Sequence, residues 1–286
     1  KSNIGDVTTT VGNARRVMEG KLINEFYLLD TYSGNGSHFF ADGSVNPAGG
    51  PKDGMIRTPE DMLWLQAMNE AGATFLPNKT IGKKGIWYGD YIYADANGDG
   101  VYGDVNDYMF TGTSMTPKFY YGIQFELGWK GIDFSMLWNG SGGAQCYWRY
   151  VGFNAYSTGG NFTLPKKIAY DHYFYDPENP EDPRTNITSG HARLTMNYGS
   201  EQNDGQCASK LFLYDTDYLR LKNLTLGYTF PQKWMKKISV SDFRLFFSGE
   251  NLLTFTKYPG MDPEISDTMN YYALLRQYSF GLSLKF

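Results

Sequence analysis

"FYYGIQFELGWKGIDFSMLWN", Phe119 to Asn139, holds two runs of strict alternation joined by a Lys-Gly pair. Phe119, Tyr121, Ile123, Phe125, Leu127 and Trp129 share one face of an extended chain. Tyr120, Gly122, Gln124, Glu126 and Gly128 share the other. After Lys130-Gly131, Ile132, Phe134, Met136 and Trp138 continue an apolar face against Asp133, Ser135 and Asn139. A period of two belongs to strands, so the stretch predicts a hairpin with one apolar and one polar face.

The pattern recurs downstream. "LTLGYTF" aligns Leu224, Leu226, Tyr228 and Phe230, and "YSFGLSLKF" aligns Tyr278, Phe280, Leu282, Leu284 and Phe286. Phe243 to Leu252 reads as a weaker fifth strand and Ile23 to Tyr32 as a sixth. Asp6 to Val17 is open between strand and loop. One helix interrupts the first long loop: "TPEDMLWLQAMNEAG" offers Thr58 as N-cap, Pro59 at the first position, Glu60 and Asp61 in the first turn and Gly72 as a stop. Its apolar residues crowd most faces, so it should pack against a neighbour.

Composition agrees with a β protein. The 286 residues include 23 Tyr, 19 Phe and 33 Gly, with 17% aromatics. Mean hydropathy is −0.45, and no run approaches the ~18 apolar residues of a membrane helix. Barrel strands alternate, so averages hide their apolar face. Charge is mildly negative, 26 basic against 30 acidic residues. No basic block interleaves with aromatics, which argues against a nucleic-acid partner. "KSNIGDVTTT" has neither the apolar core nor the cleavage site of a leader, so either the start has been removed or the chain is a piece of a longer one.

Connection lengths alternate. Trp129 to Ile132 and Pro231 to Val240 are short. Ser33 to Thr116, Gly140 to Asp217 and Thr254 to Ala273 are long. A membrane barrel has a reason for this, since its turns are short on one side and its loops long on the other. A soluble β domain with two decorated ends is the plainer alternative.

"DYLRLKNLTLGYTFP" (Asp217 to Pro231), "SGENLLTFTKYPGMDPE" (Ser248 to Glu264) and the terminal strand ending in Phe286 together resemble the last part of SusC-like (SusC/RagA) TonB-dependent outer-membrane transporters. "GDYIYADANGDGVYGDVNDYMFTGTSMTPKFYYG" resembles that family's approach to a barrel strand, and "EGKLINEFY" fits more loosely. The resemblance spreads from about Glu19 to Phe286. It implies an all-β fold: residues 1–286 as the C-terminal portion of a large antiparallel transmembrane β-barrel, with long extracellular loops and one short loop helix. The N-terminal plug and earlier strands would lie outside this chain, because six or seven strands cannot close a barrel of about 22. It implies an importer of large nutrients, glycan or peptide oligomers, in the outer membrane. Its partners would be the rest of the transporter, a SusD-like surface lipoprotein lid, the TonB complex and outer-membrane lipid. The rival is a freestanding cell-surface glycan-binding β domain. Phe286 resembles a barrel-assembly signal, and it would put both short turns in the periplasm and all three long loops outside.

Three features remain as candidate sites. In "ADANGDGVYGDVNDY", Asp95, Asn97 and Asp99 have calcium-loop spacing, with the Val101 carbonyl next and Asp104 or Asp107 to close the set. "GIWYGDYIY" before it reads as strand, so this is no helix-flanked switch; a structural Ca2+ rivet and an empty Asp/Asn/Gly turn are the two readings. In "CYWRYVGFNAYS", Tyr147, Trp148, Tyr150, Phe153 and Tyr156 would touch cargo or lid, or pack among themselves. Cys146 and Cys207 lie in the same loop, and passage through an oxidising compartment would allow a disulfide worth roughly 4 kcal/mol. Catalysis is not expected. His38, His172 and His191 lie in loops outside any catalytic signature, and Asp262, Glu264 and Asp267 of "DPEISD" read as turn caps or solvated acids.

Overall fold

The computed structural model describes residues 15–16, 18–147, 166–195, 208–265, 272 and 274–286. The hairpin expected from Phe119 to Asn139 is present and longer. Strand β1 is Phe119–Trp129 and β2 is Ile132–Gly142. Lys130 (φ 47°) and Gly131 (φ 87°) both adopt left-handed backbone. That makes the two-residue turn whose twist matches flanking strands. A Cβ on Gly131 would lie 2.5 Å from the Thr229 carbonyl oxygen, so the position also needs glycine for space.

Three further strands complete the sheet: β3 Tyr218–Thr229, β4 Asp242–Thr256 and β5 Gln277–Lys285. Spatial order follows chain order from β1 to β5, and every neighbouring pair is antiparallel. Strands β3 and β4 extend beyond the stretches expected from alternation. The cause is an irregularity in register between Leu221 and Asn223, opposed by Asn251 at φ 52° on β4. A bulge inserts a residue and shifts the period-two pattern by one, so a strict alternation test stops there. The short β3–β4 connection is helical, with Gln232–Met235 followed by a 3-10 turn at Lys236–Ile238. Sequence alternation gave no sign of it, nor of the short helix Lys166–Tyr170. The single loop helix expected is thus one of several.

The chain divides into two units: residues 1–113 with 147–213, and residues 114–146 with 214–286. The five-stranded sheet belongs to the second. The first has its own core, which includes Tyr32, Ile56, Trp64, Leu65, Phe75, Ile86, Tyr173 and Phe212. Each such side chain contributes about 1.5–3 kcal/mol when buried. Helix α1, Pro59–Glu70, supplies Met62, Trp64, Leu65 and Met68 to that core. Its start is as expected. Thr58 Oγ1 accepts from Asp61 N at 3.1 Å while Asp61 Oδ2 accepts from Thr58 N at 2.9 Å. That reciprocal capping box satisfies two otherwise orphaned donors. Gly72, at φ 105°, ends it.

Two expectations are corrected in this unit. The strand within Ile23 to Tyr32 is only Glu25–Leu28, and it pairs with Arg15–Arg16 and Met109–Phe110 rather than joining the large sheet. "GIWYGDYIY" is not a strand. Gly89 at φ 86° bends it, and only isolated bridges form, at Ile86, Tyr91 and Tyr93.

Candidate functional site

Register places every side chain of the sheet on one of two faces. One face carries the odd-numbered residues of β1 from Phe119 to Trp129 and, on β2, Ile132, Phe134, Met136 and Trp138. Its β3 members are Leu219, Leu221, Leu224, Leu226 and Tyr228, and on β4 and β5 it includes Leu245, Phe247, Phe280 and Leu282. None is charged. Cross-strand rings meet at Phe125–Phe134 (6.0 Å) and Phe247–Phe280 (5.1 Å). The face is nevertheless open: Phe119 is 55% exposed and Phe280 83%. Contiguous apolar surface of this extent is foreign to water and marks a membrane or a partner.

The opposite face is polar and cross-braced. Arg244 Nε donates to Asp133 Oδ1 at 3.0 Å, and its Nη2 pairs with Oδ2. The pair reaches across β3 above Gly227, where a Cβ would lie 2.5 Å from either group. Nearer the other end, Arg220 (2% exposed) donates through Nη2 to Asp262 Oδ1 (3% exposed) at 2.9 Å. Its Nε donates to Thr254 Oγ1 at 3.0 Å. Asp262 also accepts from Glu264 N at 2.9 Å, so it caps a turn as expected while holding a buried arginine that sequence did not reveal. Glu264 accepts from Lys222 Nζ at 3.1 Å. Asp267 lies outside the described residues.

Direction along the strands is equally ordered. Antiparallel order puts both short connections, 130–131 and 230–241, at the end where β5 finishes near Phe286. The long excursions all leave from the other end.

In the first unit, the 95–107 segment folds on its own backbone. Asp95 Oδ1 accepts from Gly98 N at 2.6 Å and Oδ2 from Gly100 N at 2.8 Å. Asn97 Oδ1 accepts from Asp99 N at 3.1 Å, and Asp99 Oδ1 from Val101 N at 2.8 Å. Asp107 is buried, with Oδ1 bound by Ala96 N and Oδ2 by Gly103 N and Asp104 N. Asp104 caps a 3-10 turn at Val105–Asp107. These two acids thus fasten the loop. Among the described residues no three His, Cys, Asp or Glu side chains are grouped to hold a metal. Of the side chains expected as calcium ligands, Asp104 and Asp107 thus serve the loop's own backbone, and so do Asp95, Asn97 and Asp99.

Tyr147 packs against the core, its ring 6.5 Å from Phe26 and 6.3 Å from Phe212. Trp148, Tyr150, Phe153 and Tyr156 lie outside the described residues, as does Cys207; Cys146 is buried. What the sequence reading missed is a cleft of about 960 Å³ lined by Trp87, Tyr88, His172, Tyr175 and Arg184 among others. The aromatic run "DHYFYDP" was the available signal. Tyr88 and Tyr175 meet edge-on at 5.0 Å, and the Arg184 guanidinium lies 4.6 Å from the Phe174 ring centre. Arg184 also holds the Asp182 carboxyl down, to about 2, through their side-chain hydrogen bond. Beneath the cleft, Arg193 grips the fully buried Asp90 through Nε and Nη2, at 2.9 and 3.0 Å. Burial nonetheless raises the Asp90 carboxyl, to about 6. His38 Nε2 lies 2.7 Å from Asp61 Oδ1, and His172 Nδ1 3.1 Å from the Ile168 carbonyl, both local braces.

A two-faced antiparallel meander, apolar outside and charge-braced within, with folded excursions at one end, defines a section of β-barrel wall. Comparison with known proteins specifies it further: the chain is a relative of the SusC-like TonB-dependent receptors. It is 30% identical over 212 residues to TonB-dependent receptor P3 of Formosa agariphila, covering 69% of this chain and 19% of that one. It is 24% identical over 199 residues to TonB-dependent receptor SusC of Bacteroides thetaiotaomicron, covering 68% and 17%. The RagAB peptide transporter structure shares the fold with a TM-score of 0.53 at 21% identity, over 74% of this chain and 22% of that one. The RagAB peptide importer in its open-open state gives 0.51 at 23% identity, over 75% and 22%. The chain spans about a fifth of the length of the relatives it matches. No family profile matches it.

Proposed function

We propose that this chain is the wall and extracellular-loop section of an outer-membrane importer energised by TonB. The observation that carries the reading is the exposed, uncharged sheet face from Phe119 to Phe280, which a soluble module would pack into its own core. No helix among the described residues is long and apolar enough to cross a membrane; in this reading the strands carrying the apolar face are the crossing elements. The remaining barrel strands and the plug lie elsewhere in the full protein, and a SusD-like lipoprotein closes the outer mouth. The cargo is a large nutrient, a glycan or peptide oligomer. The peptide importers of like fold and the receptors of like sequence support that class. Transport proceeds by lid opening outside and plug displacement inside, without covalent chemistry.

Within this reading the excursions face outward. The loop at Asp95, Asn97, Asp99 and Val101 binds a structural Ca2+. The aromatic segment packs on its own unit at Tyr147 and offers Trp148, Tyr150, Phe153 and Tyr156 to lid or cargo. Cys146 and Cys207 form a disulfide.

The aromatic cleft favours the rival reading of a surface glycan-binding domain, since sugar rings stack on such walls. A simple preparation separates the two. The full-length protein should require detergent to stay in solution and should aggregate when detergent is withdrawn. A monodisperse detergent-free preparation would show that the apolar face is covered by protein and end the transporter reading.

A further inference from the structure

The two short connections differ from the rest of the chain in charge. Residues 130–131 and 230–241 hold Lys130, Lys233, Lys236 and Lys237 and no acid, in a chain whose formal net charge is −4. The long 257–276 connection at the opposite end has Asp262, Glu264 and Asp267 against Lys257 and Arg276. Among the described residues no carboxylate pairs with any of the four lysines.

The lysines stand beside a belt of rings. Trp129, the last residue of the apolar face of β1, is 61% exposed and lies 5.0 Å from Lys130 Nζ. Tyr228 and Phe230 meet at 4.9 Å, and Phe230 stacks on Phe243 at 4.9 Å. Trp234, 56% exposed, projects from the short helix that carries Lys233. The connection is not a loose coil. Met235 and Val240 are buried, and Val240 N donates to the Met235 carbonyl at 3.2 Å. Its lysines and Trp234 are therefore presented on a fixed turn at the rim of the apolar face. Amphipathic rings and long basic side chains at such a rim suit the headgroup layer, with ring bodies in the apolar region and ammonium groups at phosphate level.

We propose that Lys130, Lys233, Lys236 and Lys237, with Trp129 and Trp234, form a binding surface for anionic phospholipid headgroups at the short-connection end. The charge is complementary: the exposed Asp242 that follows the connection is a single acid against four lysines, and among the described residues no ion pair ties any of them. Each lysine close to an anionic surface contributes about fivefold in affinity, so the three on the β3–β4 connection should dominate. The proposal rests on the membrane reading above.

The test uses the full-length protein in mild detergent, titrated with dioleoyl phosphatidylglycerol or dioleoyl phosphatidylcholine and read by native mass spectrometry. Wild type should retain phosphatidylglycerol at a concentration at least about tenfold lower than phosphatidylcholine, since even two lysines at about fivefold each exceed that. The preference should collapse in Lys233→Gln/Lys236→Gln/Lys237→Gln and persist in Lys79→Gln/Lys83→Gln/Lys84→Gln, which removes equal charge elsewhere. Raised salt should weaken it in wild type, a check that survives if the first variant does not assemble. Equal retention of both lipids by wild type, a preference untouched by salt, or one kept in the first variant would overturn the patch. Those outcomes leave the transporter reading standing. A protein that needs no detergent would sink both.

Discussion

Gly140 shows how a single missing side chain organises three strands. The Tyr121 ring lies over it, and the Tyr121 hydroxyl passes across β2 to donate to the Tyr218 carbonyl on β3 at 2.8 Å. A Cβ at Gly140 would stand 2.3 Å from that carbonyl oxygen and 2.4 Å from the Tyr121 ring. The first of these is backbone and cannot step aside. Gly142 under Phe119 and Gly281 under Phe246 repeat the device. Gly128 on the same β1–β2 hairpin has nothing within 4 Å of its would-be Cβ. Gly140→Val should therefore reduce assembled barrel strongly, measured by heat-modifiable migration of membrane extracts, while Gly128→Val stays near wild type. Equal losses would mean that strand glycines act through propensity alone. Tyr121→Phe, which keeps the ring, should cost only about 1 kcal/mol, the worth of one hydrogen bond.

At the scale of elements, the 95–107 loop is knitted by its own Asp and Asn side chains, and an ion would add to a turn already formed. Asp95→Ala with Asp99→Ala should abolish calcium uptake by the purified protein and loosen the loop, read as faster amide exchange at residues 95–101. The barrel itself should be unaffected. Metal analysis showing no calcium in the wild type would remove the ion from the account. What the sequence made legible follows the reach of its signals. The β1–β2 hairpin, the α1 cap at Thr58 and the terminal strand rest on local patterns of two to four residues, and all three are in the structure. The extents of β3 and β4 were hidden because the irregularity near Leu221 changes phase. The Arg220–Asp262 pair and the aromatic cleft were hidden because they join residues far apart in sequence, such as Tyr88 with Tyr175. No local spacing encodes such meetings.

For the whole molecule, orientation in the membrane is tested at the end of the sheet where β5 finishes. Phe286 is 88% exposed at the end of the apolar row of β5, beside the short connections. From Tyr278, at about 3.3 Å per residue, the row nearly spans the ~25 Å apolar band of an outer membrane. Deleting Phe286 or changing it to Asp should lower the amount of assembled protein in the membrane and leave cargo preference in the remainder alone. In intact cells an impermeant amine reagent should reach Lys210 and not Lys130. Labelling of Lys130 instead would invert the topology and move the lysine patch to the outer leaflet.

The first unit is continuous in space and broken in sequence. Trp64, Phe75 and Ile86 come from the stretch before β1, and Ile168, Tyr173 and Phe212 from the stretch after β2. Neither stretch can finish this core alone; the Tyr173 hydroxyl, for instance, is satisfied by the carbonyl of Arg57. Between them stands a hairpin whose open end is fastened by Lys118 N to Gly142 O at 2.9 Å and Gln145 N to Ser114 O at 3.0 Å. Closing it shortens the route between the halves from a whole hairpin to one hydrogen bond, and the entropy of bringing the chain ends together falls with it. The expected order is that the hairpin zips first and the distant halves of this unit's core then meet at high local concentration. A stalled chain ending after β2 would expose half a hydrophobic core, the state most open to proteolysis on the way to the finished molecule.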